Sequence, residues 1–243
     1  MSLALTSASV ARSCHQPTPG APRGPRILVF GCARSGTTLL LNLLRTFDGI
    51  RVRDGEHCVG DLLDDPHPGW VAVKRTPYCA EHLVADLPVL RPSVWIIDII
   101  RDPRDVVTSV LDPFPGYYCG YERWDRDVRV SEFLAGRHLR YVRIRYEELV
   151  HHPDDLQDDL ASILGLRPRT AFSDFVRLVP RTLPRSAVRA LGGVRDLDPS
   201  GVGRWRQRQH TIRVREQLSA HPRMEEALRW MGYSPGAAVE GDI

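Results

Sequence analysis

Apolar positions along this 243-residue chain gather into short runs separated by more polar, helix-compatible stretches. Residues 26–30 (RILVF) form a β-branched run and residues 38–44 (TLLLNLL) a Leu-rich one that fits a helix, so Gly31 to Thr37 is the turn between strand and helix. Residues 94–100 (VWIIDII) are almost continuously apolar, as expected of a central parallel strand covered on both faces. Residues 141–146 (YVRIRY) alternate as a half-exposed strand does. The following Glu147-Glu148-Leu149-Val150, Pro153 and the amphipathic stretch to Leu164 read as a turn and then a helix. Strand and helix signals in alternation predict a three-layer α/β domain, with a mostly parallel central sheet flanked by helices, over residues 26–237. Residues 1–25, rich in Ser, Thr, Pro and Gly, read as a disordered tail and residues 238–243 as a C-terminal one. No run has the length or composition of a secretory signal or a bilayer span, so a cytoplasmic protein without membrane insertion is expected.

The turn after the first strand reads Gly31-Cys32-Ala33-Arg34-Ser35-Gly36-Thr37-Thr38. Backbone N–H groups of a Gly-containing turn point inward, and the start of the next helix adds its own, so a phosphate-sized anion fits there. The spacing from Gly31 to Gly36 follows a P-loop, giving a P-loop-like domain, but Thr37 stands where the nucleotide-triphosphate version has lysine. Arg34 supplies a forked cation and Ser35, Thr37 and Thr38 supply hydroxyls, while no neighbouring carboxylate suggests magnesium. An anion clamp without metal is the expectation. The segment Cys32 to Leu39 resembles the 5′-phosphosulfate loop of sulfotransferases that use 3′-phosphoadenosine 5′-phosphosulfate (PAPS), in the bacterial and carbohydrate-type branch.

A second motif follows the apolar run at 94–100, where Asp102 and Pro103 fit a helix N-cap and first turn and place Ser109 about two turns along. The resemblance implies that Arg101 and Ser109, eight residues apart, bind the 3′-phosphate of the nucleotide. Lys74 is the only lysine in the chain. Its compact, strongly hydrated charge differs from a guanidinium, and Lys74-Arg75-Thr76-Pro77 resembles the Lys-Ser/Thr-Pro segment of carbohydrate-type sulfotransferases, with Arg75 inserted. Arg53-Asp54-Gly55-Glu56-His57 is similar to the segment that carries the catalytic glutamate in that branch. Glu56 is therefore the candidate base, with His57 its competitor, because an imidazole titrates near neutrality. The cytosolic branch has its basic histidine at the position of Thr76. Near the C-terminus, Gly203-Arg204-Trp205 resembles the loop that closes over the adenine and 3′-phosphate; the Glu147-Glu148-Leu149 block resembles a structural Tyr-Glu-Asp-Leu segment and is given no chemistry.

Composition narrows the partners. A net charge of +3 with arginine supplying nearly every cation fits GC-rich coding and a bacterial source. Residues 181–215 are Arg-rich, but Trp205 is their only aromatic residue, so a nucleic-acid surface is not expected and a basic surround for a multiply charged nucleotide is. The five cysteines show no metal-ligand spacing and no disulfide framework. Phe114, Tyr117, Tyr118, Tyr121 and Trp124 crowd residues 113–125 and form either the wall of an acceptor pocket or a hydrophobic cluster under a long loop. The reading is a sulfotransferase that moves a sulfuryl group from PAPS to a hydroxyl of a small-molecule, sugar or lipid acceptor, leaving 3′-phosphoadenosine 5′-phosphate (PAP). Two rival readings stay open: a P-loop small-molecule kinase, and a non-catalytic nucleotide or polyanion binder.

Overall fold

The structure, a computed structural model, describes residues 24–75, 94–111, 115–137, 140–178 and 183–234. The tails at 1–23 and 235–243, the residues 76–78 beyond Lys74-Arg75, and Phe114 lie outside them. Five strands build one sheet: β1 (Arg26–Phe30), β2 (Ile50–Glu56), β3 (Trp70–Arg75), β4 (Val94–Ile100) and β5 (Tyr141–Arg145). Their order is β2-β3-β1-β4-β5 and every pairing is parallel. The chain moves to one side of β1 for β2 and β3 and to the other for β4 and β5. The loop after β1 therefore sits where the winding direction reverses, the place where α/β sheets bind ligands.

Side-chain alternation along β1 builds the layers. Ile27 and Val29 face a cluster completed by Leu40, Leu41 and Leu43 of helix α1 (Thr37–Leu43), Ile97 and Ile99 of β4, and Phe172 and Phe175. Leu28 and Phe30 face the opposite cluster, with Val59 and Leu62 of α2 (Val59–Leu63), Val71 and Val73 of β3, and Val130 and Leu134. Between them these two clusters bury β1 completely, which is why its sequence is a run and not an alternation. A third cluster lies under the C-terminal edge of the sheet and joins Val106 and Val107 of α3 (Pro103–Val107), Tyr121, Trp124 and Val128 of α4 (Tyr121–Ala135), and Met224 and Leu228.

Local details depart from the sequence reading at three points. Gly24 and Pro25 belong to the body: the carbonyl of Pro25 accepts from Val71 N, and that of Gly24 from the buried Arg26 guanidinium. The strand β5 runs straight into a helix, α5 (Tyr146–His151), where a turn was expected, and α6 (Pro153–Leu164) follows with Pro153 at its first turn. The third departure concerns α3. It starts as expected, with the Asp102 carboxylate accepting from Arg104 N, but it ends at Val107, so Ser109 stands beyond the helix and not on its second turn.

The apolar run of β4 also carries a buried carboxylate, Asp98, opposite Arg143 in register. It accepts from Ser131 Oγ at 3.0 Å, Tyr141 Oη at 2.6 Å and Arg143 Nε at 2.9 Å. Burial pushes its carboxyl upward and these three partners oppose the shift. Removing Asp98 would take the acceptor from the buried Ser131 Oγ and from Tyr141 Oη, while Arg143 would keep its ion pair with Glu132 and its bond to Tyr141. Asp98→Ala is expected to cost about 3–5 kcal/mol, and urea unfolding of this variant against the parent checks it.

Candidate active site

Because all strands run the same way, their C-terminal ends share one edge, and the residues singled out from the sequence sit there. The loop after β1 is set by backbone contacts. Gly31 has φ 146°, and a Cβ on it would meet Ile99 O at 2.4 Å; at Gly36, φ 101°, a Cβ would meet Tyr146 Cδ2 at 2.7 Å. Both are strained for any side chain. Arg34 is the one non-glycine residue with positive φ among the described residues, at 73°. A left-handed arginine costs roughly 1–2 kcal/mol, and it is retained because the residue is held twice. Its carbonyl accepts from Arg101 Nη1 at 3.1 Å, and its Nε donates to Ser109 Oγ at 2.8 Å. Ser35, Thr37 and Thr38 are buried in the loop and first turn, and no side chain caps α1. Ser35 Oγ is buried with no hydrogen-bond partner among the described residues, as is Arg101 Nε. Polar atoms buried in this way call for a polar ligand or water.

The two anion motifs thus meet through Arg34, Arg101 and Ser109, 75 residues apart along the chain for Arg34 and Ser109. Burial, and then the charge of Arg101, press the Arg34 guanidinium below its ordinary value. Two cations crowded into one partly buried site favour an anion between them. Arg101 lies over the Tyr146 ring at 4.2 Å from its centroid and donates through Nη2 to Gly201 O at 2.6 Å. That bond brings in the C-terminal segment. Gly203, φ 71°, opens the short 3-10 turn Arg204–Arg206; Arg204 is exposed, and Trp205 is buried with Arg104 4.0 Å and Arg206 4.4 Å from its ring. In this conformation the Trp205 ring is taken up by two guanidinium groups.

On the other side of β1, Glu56 closes β2 and pairs in register with Lys74 of β3, after a shift in register within residues 52–56 around Gly55, φ 94°. The extra length in β2 lets the Glu56 carboxylate meet Lys74 Nζ in a direct ion pair. Lys74 is mostly buried and Glu56 half exposed, 11% against 43% of the side chain, so the carboxylate is the member that faces outward. His57 is turned elsewhere: its backbone N donates to Lys74 O at 3.1 Å, while its ring contacts Asp54 O through Nε2 at 2.8 Å and Asp61 through Nδ1 at 3.8 Å. The imidazole ties the end of β2 to the first turn of α2.

The aromatic residues divide. Tyr121 and Trp124 are buried in the third cluster, stacked at 5.5 Å, and form core. Tyr117 and Tyr118 remain partly exposed, and Tyr117 Oη lies 3.1 Å from His210 Nδ1, linking the loop after Ser109 to the C-terminal segment. Among the described residues no group of three or more His, Cys, Asp or Glu side chains could hold a metal, and no helix is long and apolar enough to cross a membrane.

One residue at this site gave no signal in the sequence reading. Asp105 of α3 is buried beside Arg101 and accepts from the backbone of Gly203 and Trp205.

No family model matches the sequence, and no curated protein sequence matches it. Solved structures do. The sulfotransferase domain from the olefin synthase of Synechococcus PCC 7002 superposes with a TM-score of 0.57 at 15% identity, covering 84% of this chain and 98% of that one. The sulfotransferase domain from the curacin biosynthetic pathway gives 0.56 at 17% identity, over 81% and 98%. Mouse sulfotransferase SULT7A1, solved as a complex with PAP, gives 0.56 at 18% identity, over 86% and 89%. The order of the strands, the turn after β1 and these superpositions together establish that the chain has the sulfotransferase fold.

Proposed function

We propose that this protein is a PAPS-dependent sulfotransferase whose acceptor is a hydroxyl on a small molecule, sugar or lipid. The observation that carries the reading is the convergence of Arg34, Arg101 and Ser109: the loop able to take a phosphosulfate and the pair able to take a 3′-phosphate are hydrogen-bonded to each other. A nucleotide phosphorylated at both ends of its ribose is the simplest ligand for two adjoining anion sites. The unpartnered Ser35 Oγ and Arg101 Nε and the glycine-lined turn fit such a group. The complex of SULT7A1 with PAP supports the same assignment by analogy.

Bound PAPS would supply an activated sulfuryl group and a phosphate leaving group. The chain supplies position and charge. Arg34, Ser35, Gly36, Thr37 and Thr38 would hold the 5′ end, and Arg101 and Ser109 the 3′-phosphate, with Gly203 and Arg204 closing over it; Trp205 would join them only if its ring left the Arg104 and Arg206 guanidinium groups that hold it here. Lys74 would neutralise charge growing on the departing oxygen, as in phosphoryl transfer, where catalysis is mainly positioning and electrostatics. Glu56, the outward member of the pair with Lys74, would take the proton of the acceptor hydroxyl. With Thr37 in the lysine position of a kinase loop, ATP is the poorer fit.

Thermal unfolding tests this reading. At about a hundredfold excess over the dissociation constant, PAP is expected to stabilise by about 2.7 kcal/mol, a rise in Tm of roughly 5–10 °C that survives EDTA. A rise only with ATP and magnesium would replace the sulfotransferase with the kinase.

A further inference from the structure

We infer that Asp105 is a positioning residue for 3′-phosphate recognition: it fixes the C-terminal segment against Arg101, so that discrimination for the 3′-phosphate depends on a carboxylate of the same sign as the ligand. This rests on the proposed binding of PAP at Arg101 and Ser109. The geometry is specific. The Asp105 carboxylate is buried on α3, one turn after Arg101. Its Oδ2 accepts from Gly203 N at 2.7 Å and lies 3.9 Å from Arg101 Nη2, and its Oδ1 accepts from Trp205 N at 3.0 Å. Arg101 Nη2 in turn donates to Gly201 O at 2.6 Å. Asp105 and Arg101 therefore grip the same turn of the segment from both sides, one through its N–H groups and the other through a carbonyl.

Two effects of Asp105 oppose each other, and their signs differ. As a negative charge beside Arg101 it lowers the potential available to an anion, so neutralising it would strengthen phosphate binding if charge were all that mattered. As a double acceptor for backbone N–H it holds Gly203 and Trp205 in register with Arg101, which itself holds Gly201 O, and its loss would release that guanidinium from its aim. Burial pushes the Asp105 carboxyl upward while Arg101 and the two N–H groups pull it down. Three partners around one buried carboxylate favour the second effect, because hydrogen bonds to a charged group are the stronger kind.

The test is Asp105→Asn, which keeps the shape, removes the charge and leaves only one of the two acceptors. Binding of PAP and of AMP, which lacks the 3′-phosphate, is measured by calorimetry for both proteins. The expected result is PAP weakened about five- to tenfold with AMP changed less than about threefold, so that discrimination falls. Tighter or unchanged PAP binding would show that Asp105 acts only as a counter-charge, and equal weakening of both nucleotides would show a merely structural role; either overturns the inference. A parent protein that does not prefer PAP to AMP would overturn the underlying reading instead, and the inference with it. If the variant does not fold, amide hydrogen exchange on the parent decides: the Gly203 amide is expected to be protected without nucleotide, and exchange at the rate of an open loop overturns the proposal.

Discussion

Glu56→Gln is expected to lower turnover at least a hundredfold while changing PAP affinity less than threefold, since general-base catalysis contributes about 10²–10⁴. The amide keeps the length of the side chain and can still accept from Lys74, but it cannot take a proton. The split between rate and affinity follows from the fold: Glu56 and Lys74 sit at the ends of β2 and β3, on the other side of β1 from Arg101 and Ser109. Steady-state turnover and calorimetry on the same preparation check it. His57→Asn is the companion variant. The His57 ring bonds to Asp54 O and faces Asp61, so its loss should loosen the turn into α2 without removing the proton acceptor. Near-normal turnover in Glu56→Gln with collapse in His57→Asn would transfer the base to His57.

Arg101→Ala is expected to weaken PAP ten- to a hundredfold, the scale of losing one or two charge-assisted hydrogen bonds. The change acts at more than one point. Arg101 donates to Arg34 O and Gly201 O, lies over Tyr146 and faces Asp105, so the variant would lose the proposed phosphate contact and also free the loop and the C-terminal segment. AMP should be weakened much less. Calorimetric titration of both nucleotides checks this; PAP affinity within twofold of the parent would remove Arg101 from the site.

Much of the fold was legible because its signals are local. The buried runs at residues 26–30 and 94–100, the Asp102-Pro103 helix start and the glycines around Arg34 each encode their structure within a few residues. Glu56 and Lys74 were picked separately and proved to be partners across two strands. Other features were hidden because their cause is distant. Asp98 interrupts an apolar run harmlessly only because Ser131, Tyr141 and Arg143 come to meet it. Whether Tyr121 and Trp124 wall a pocket with Tyr117 and Tyr118 or form a buried cluster was open in the sequence, and α4 decides it by turning them into the third cluster. Ser109 keeps its contact with Arg34 although the helix ends two residues before it, since a side-chain hydrogen bond needs only the final position and not the path.

The sequence by itself determined the strand-turn-helix after β1, the arginine in its loop, the direction and burial of the sheet strands, and the cations and carboxylate available for chemistry. Those follow from side-chain volume, backbone freedom and hydrophobic spacing over stretches of a few residues. Only the tertiary structure decided that Arg34 would touch Ser109, that Lys74 would hold Glu56 and not His57, and that Asp105 would grip Gly203 and Trp205 about a hundred residues on. Such contacts depend on strand register and on the packing of α3 against the C-terminal segment, which are set by the whole buried interior and are written in no single segment of the chain.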